Sequence, residues 1–210
     1  KKNHFFMTNL TNGSELQGTL VLSLDFELYW GVRNRSLEAY GRNILGVRSI
    51  LPRLLEYIAK SGIHITWATV GFLFFDSKEE LIDALPASRP VGGGPDNNPY
   101  EYIQNIGPSE SKDPYHYGLS LIKKINETPH QEIGTHTFAH FIGWDCDNFT
   151  DFLADDLMAA KTSAERLGIK LKSLVFPQNR YNDACLSACR KIGIKSYRGN
   201  PALSYEWGPL

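Results

Sequence analysis

Apolar and polar positions along this chain follow two alternating periods. Val47, Ile50, Leu51, Leu54, Leu55 and Ile58 recur at helical spacing. Phe152, Leu153, Leu157, Ala160, Ala164 and Leu167 do the same behind a polar start at 148–151. Pro52 either starts the first of these helices or kinks it. Three segments share one arrangement: KSGIHITWATV from Lys60, RLGIKLKSLVFP from Arg166 and KIGIKSYRG from Lys191. Each runs basic residue, spacer, glycine, isoleucine, then a short β-rich stretch. Gly62, Gly168 and Gly193 suit the left-handed position that ends a helix, and the basic residue complements the negative end of the helix dipole. Strands are expected near 19–25, 63–69, 131–136, 171–176 and 194–198. Helices alternating with buried strands predict an α/β fold with a parallel sheet.

Residues 86–129 break this rhythm with a run dense in Pro, Gly and polar side chains, which reads as a long insertion. At 210 residues and 42% hydrophobic, the chain suits one domain with a substantial core. Twenty-two basic and 23 acidic residues leave a formal charge of -1, which provides no electrostatic footprint for nucleic acid or an anionic membrane. A small or neutral partner is expected instead. No apolar run approaches the roughly 18 residues of a membrane span, and the first residues lack a signal-peptide core. A cytoplasmic location is the expectation, with a trimmed N-terminus as the alternative because the chain starts on Lys1. Cys146, Cys185 and Cys189 make an odd count, and the last two sit four apart in a helical pattern, so reduced thiols are expected.

Chemistry in α/β sheets gathers where strands end. The first strand, LVLSLDFE, runs into Asp25 and Glu27, whose side chains share a face about 6 to 7 Å apart on an extended strand. Like charges so placed call for a cation. The third, QEIGTHTFAH, ends in His136 and His140. A divalent ion among Glu27, His136 and His140 accounts for both features, because two imidazoles and one carboxylate leave positions for water and substrate. Asp25 is then free to take a proton from that water.

In order, LVLSLDFE, ITWATVGFLF, QEIGTHTFAH and LKSLVFPQN resemble the strand motifs of the NodB-homology polysaccharide deacetylases, over roughly residues 19–180. The resemblance implies a distorted (β/α) barrel forming a single catalytic domain over 1–210, with the insertion at about 86–130. It implies hydrolysis of the acetamide of an N-acetylated sugar or polysaccharide, with zinc or another divalent transition metal. By position, Asp25 would be the base, Glu27, His136 and His140 the metal ligands, and the backbone N–H of Gln178 an oxyanion donor. The chain departs from the pattern in spacing its two acids by Phe26. The family's arginine would fall at Val175, and Arg180 is its substitute. The later motifs, with the histidine that acts as general acid, do not appear before Leu210. Either C-terminal strands are missing or the barrel is incomplete, and His116 is the substitute acid. Trp30 and Trp144 are the candidates to stack on a sugar ring. The rival expectations are a ring-opening amidohydrolase of the allantoinase kind and a non-catalytic sugar-binding relic.

Overall fold

The computed structural model describes residues 20–142 and 149–199. Strands β1 (Ser23–Phe26), β2 (Ile65–Thr69), β3 (Gln131–Thr135), β4 (Ser173–Val175) and β5 (Ser196–Arg198) form one parallel sheet in chain order. Adjacent parallel strands need a crossover. Helix α1 (Leu37–Lys60) supplies it between β1 and β2, α5 (Leu119–Glu127) precedes β3, α6 (Phe149–Glu165) precedes β4, and α7 (Asp183–Ile192) precedes β5. Between β2 and β3 also lie α2 (Lys78–Asp83), α3 (Gly94–Asn97) and α4 (Pro99–Tyr102). The glycines that close α1, α6 and α7 adopt the expected left-handed backbone, with φ of +64° at Gly62, +74° at Gly168 and +90° at Gly193.

The five expected strands all form, but later than periodicity places them at the first edge. β1 begins at Ser23, and Leu20 and Val21 before it are 83% and 77% exposed. An edge strand has one neighbour, so its apolar start is not covered. Helix α1 starts well before Pro52: Ser36 caps it, its hydroxyl accepting from the Ala39 N–H at 3.2 Å. Pro52 therefore lies inside the helix, which extends a turn and more to either side. The 86–129 stretch carries regular elements of its own. Leu121, Ile122 and Ile125 bury one face of α5, a stripe too short to stand out in the sequence. Arg48 of α1 ties this stretch down, donating to the carbonyls of Pro114 and Tyr117 and pairing with Glu110 at 2.7 Å.

Leu51, Leu55 and Ile58 of α1 pack with Trp67, Ile133 and the buried face of α5 in the main core. A second cluster joins Leu153 and Leu157 of α6 to Leu174 and to Cys185, Cys189 and Ile192 of α7. Both cysteines are free thiols, and burial pushes them up, Cys189 to about 12. The sheet curls into a half-barrel. Arg198 on β5 reaches across to β1 at the other edge, donating to Ser23 Oγ at 3.2 Å and to Asp25 Oδ2 at 2.9 Å.

Candidate metal centre

The carboxyl ends of β1 and β3 deliver three side chains that could hold a metal to one point. β1 stops at Phe26, and Glu27 (φ −129°, ψ −11°) and Leu28 (φ +46°) turn the chain into a 3-10 helix, Leu28–Val32. The strand alternation expected to align Asp25 with Glu27 therefore ends before Glu27, and this turn aims its side chain instead. Glu27 folds back over Gly31: a Cβ on Gly31 would lie 1.9 Å from Glu27 Oε1. Oε2 then stands 2.9 Å from His140 Nε2 and 3.3 Å from His136 Nε2.

The two histidines bracket a tight loop. His136 N–H donates to the Thr69 carbonyl at 2.8 Å as β3 ends, and its Nδ1 lies 2.7 Å from the Val175 carbonyl. A carbonyl only accepts, so Nδ1 carries a proton and Nε2 is the ring nitrogen turned toward Glu27, the one left for a metal. Thr137 and His140 are left-handed, with φ of +65° and +54°, a conformation that costs residues other than glycine and asparagine about 1 kcal/mol or more each. Neighbouring elements hold it. The N–H groups of Gly71 and Phe72 donate to the carbonyls of Thr137 and Phe138 at 3.0 and 2.9 Å. Gly71 permits that approach, since a Cβ there would fall 2.7 Å from the Phe138 Cα. Buried Arg33, which the sequence did not single out, donates to the Trp30 carbonyl at 3.0 Å and lies 3.4 Å from His140 Nδ1.

Nitrogen and oxygen atoms of Glu27, His136 and His140 lie within 4.8 Å of one another, the one group of three or more such ligands among the described residues. This donor set fits a divalent transition ion such as zinc. Burial tends to raise the Glu27 carboxyl, but hydrogen bonds from His136 and His140 outweigh it and hold the group down at about 2. Burial pushes His140 below the usual imidazole value, against the pull of Glu27. An anionic carboxylate is the protonation state that ligation by Glu27 needs.

Asp25 is one-third exposed, and its ion pair comes from Arg198 rather than from Arg180. Arg180 is an exposed residue past the turn, whereas Arg198 also donates from Nε to Asn179 Oδ1 at 3.3 Å, joining Asp25 to the 177–179 turn. Gln178 in that turn is exposed and left-handed, with φ of +55°. Trp30 is fully buried, its indole N–H donating to the His116 carbonyl at 2.8 Å and its ring edge-on to Phe72, so it packs the core instead of meeting a sugar. His116 is 3% exposed, with Nδ1 2.8 Å from Asp113 Oδ2 and its ring against Tyr29 and Trp30. It too is a packed residue, not a group facing substrate. Trp144 lies outside the described residues.

No family model matches the sequence, and no curated protein does. Solved structures do match in fold. IcaB from Ammonifex degensii aligns with a TM-score of 0.52 at 12% identity, over 92% of this chain and 72% of that one. A putative polysaccharide deacetylase from Mycobacterium smegmatis aligns at 0.51 and 13%, over 83% and 48%. The deacetylase PplD from Streptococcus pyogenes, solved with acetate, aligns at 0.50 and 13%, over 89% and 58%. This chain thus spans about half the length of the last two. At the level of fold, it is a divergent half-barrel of the NodB type, the architecture of the polysaccharide deacetylases.

Proposed function

We propose that this chain is a metal-dependent hydrolase that removes N-acetyl groups from an N-acetylated sugar or polysaccharide. The observation that carries the reading is the convergence of Glu27, His136 and His140 at the carboxyl end of the sheet, with Asp25 on the same strand end. Bound there, zinc or a similar ion would polarise the acetyl carbonyl and make its water acidic enough to deprotonate near neutral pH. Asp25 accepts that proton. Arg198 orients Asp25 through their 2.9 Å ion pair. The backbone N–H of Gln178 is the donor for the developing oxyanion.

Buried His116 favours a second reading, a sugar-binding relic without turnover. Among the described residues, the remaining histidines, His64 and His130, stack on each other where β2 and β3 begin, at the opposite end of the strands. Neither can protonate a leaving amine at the metal centre.

Acetate release from N-acetylhexosamine oligomers by zinc- or cobalt-loaded protein separates the two, with cyclic amides as the control for a ring-opening amidohydrolase. The expected result is acetate from the oligomers, and a loss of about 100-fold or more in kcat for Asp25→Asn with metal retained. Oligomer binding without acetate from the wild type would favour the relic.

A further inference from the structure

Asp156 is a carboxylate buried on the largely apolar inner face of α6, between Leu153, Leu157 and Ala160. Its surroundings consist of donors. Oδ1 accepts from the Phe138 N–H at 2.7 Å, and Oδ2 accepts from the Ala139 N–H at 3.2 Å and from the Tyr100 hydroxyl at 2.7 Å. Burial pushes its carboxyl up to about 6, against these three bonds.

Phe138 and Ala139 stand between the two metal-binding histidines. Gly71 and Phe72 hold the carbonyls of Thr137 and Phe138, whereas the N–H groups of Phe138 and Ala139 meet Asp156. His136 has anchors of its own, the carbonyls of Thr69 and Val175. The other end of the loop, left-handed His140, is held by Arg33, which lies 3.4 Å from its Nδ1 and 3.5 Å from its carbonyl, and, through the residue before it, by the Asp156 bond to the Ala139 N–H. Only a carboxylate suits the position, since an asparagine amide would turn an N–H toward a donor. Tyr100 belongs to α4, inside the insertion, so the insertion and the loop share one carboxyl group.

We propose that Asp156 is a positioning residue that fixes His140 for metal binding, and that Tyr100 links the insertion to it. This rests on the metal-site reading above. The test is competitive zinc titration of chelator-stripped wild type, Asp156→Asn and Tyr100→Phe against a chromophoric chelator, with visible spectra of the cobalt forms and melting of the metal-free proteins. The expected result is a zinc Kd raised on the order of tenfold or more in Asp156→Asn. A smaller rise is expected in Tyr100→Phe, with an altered cobalt spectrum in both. A lowered melting temperature with unchanged Kd and cobalt spectrum would overturn the proposal, reducing Asp156 to a packing role while leaving the metal site intact. If Asp156→Asn does not fold, Tyr100→Phe decides: a wild-type Kd and spectrum would overturn the proposal. A wild type that takes up neither zinc nor cobalt would sink the metal-site reading itself, and this inference with it.

Discussion

Glu27 reaches the histidines only because residue 31 has no side chain. An added methyl at Gly31 would collide with the Glu27 carboxyl, the far end of a flexible chain, and the carboxyl would swing away. Gly31 does not have positive φ, so alanine is no burden on its backbone. Gly31→Ala should therefore leave the melting temperature of the metal-free protein within a few degrees of wild type while abolishing tight zinc binding, as Glu27→Ala would. Melting curves and zinc titration of the two variants check this, and a Gly31→Ala protein with wild-type zinc affinity would show that Glu27 is not a ligand. Gly71 differs in kind. There an added methyl meets the Phe138 backbone, which cannot swing aside, so substitution would distort the loop itself.

At the scale of elements, the repeated unit of helix, glycine stop and strand was legible because each part has its own local cause: the dipole, the left-handed turn, the β-rich run. Those units place β2, β4 and β5, while LVLSLDFE and QEIGTHTFAH read as β1 and β3 on their own β-rich runs, and so Glu27, His136 and His140 could be nominated together as strand-end residues. What was not legible depends on contacts between elements. Trp30 and His116 look like binding residues in one dimension and are core residues in three, locked by each other and by Asp113. Arg180 follows the right strand, yet Asp25 is met by an arginine one strand further on. A signal for Asp156 was present: a lone acid among Leu153, Leu157 and Ala160, on a face where an ionised group is costly unless it is partnered. The α5 face inside the insertion was hidden because four apolar residues in nine do not distinguish a helix from a loop.

In the whole molecule, the curl of the sheet brings its two edges within reach of one side chain, Arg198. The Arg198–Asp25 pair is about one-third exposed on both sides, so it adds roughly 0 to 1 kcal/mol to stability. In the proposed mechanism its role is to aim Asp25. Arg198→Met should leave melting nearly unchanged and lower kcat on the order of ten- to a hundredfold with zinc affinity retained. A marked drop in melting temperature with unaltered kcat would instead make the pair a structural clasp. Both expectations depend on the metal centre, and elemental analysis tests that centre most directly. Purified wild type and a His136→Ala, His140→Ala double variant would be incubated with zinc, desalted and analysed by elemental mass spectrometry. About one zinc per wild-type chain and none in the folded double variant is the predicted result. Zinc in neither protein, or equal zinc in both, would contradict the account.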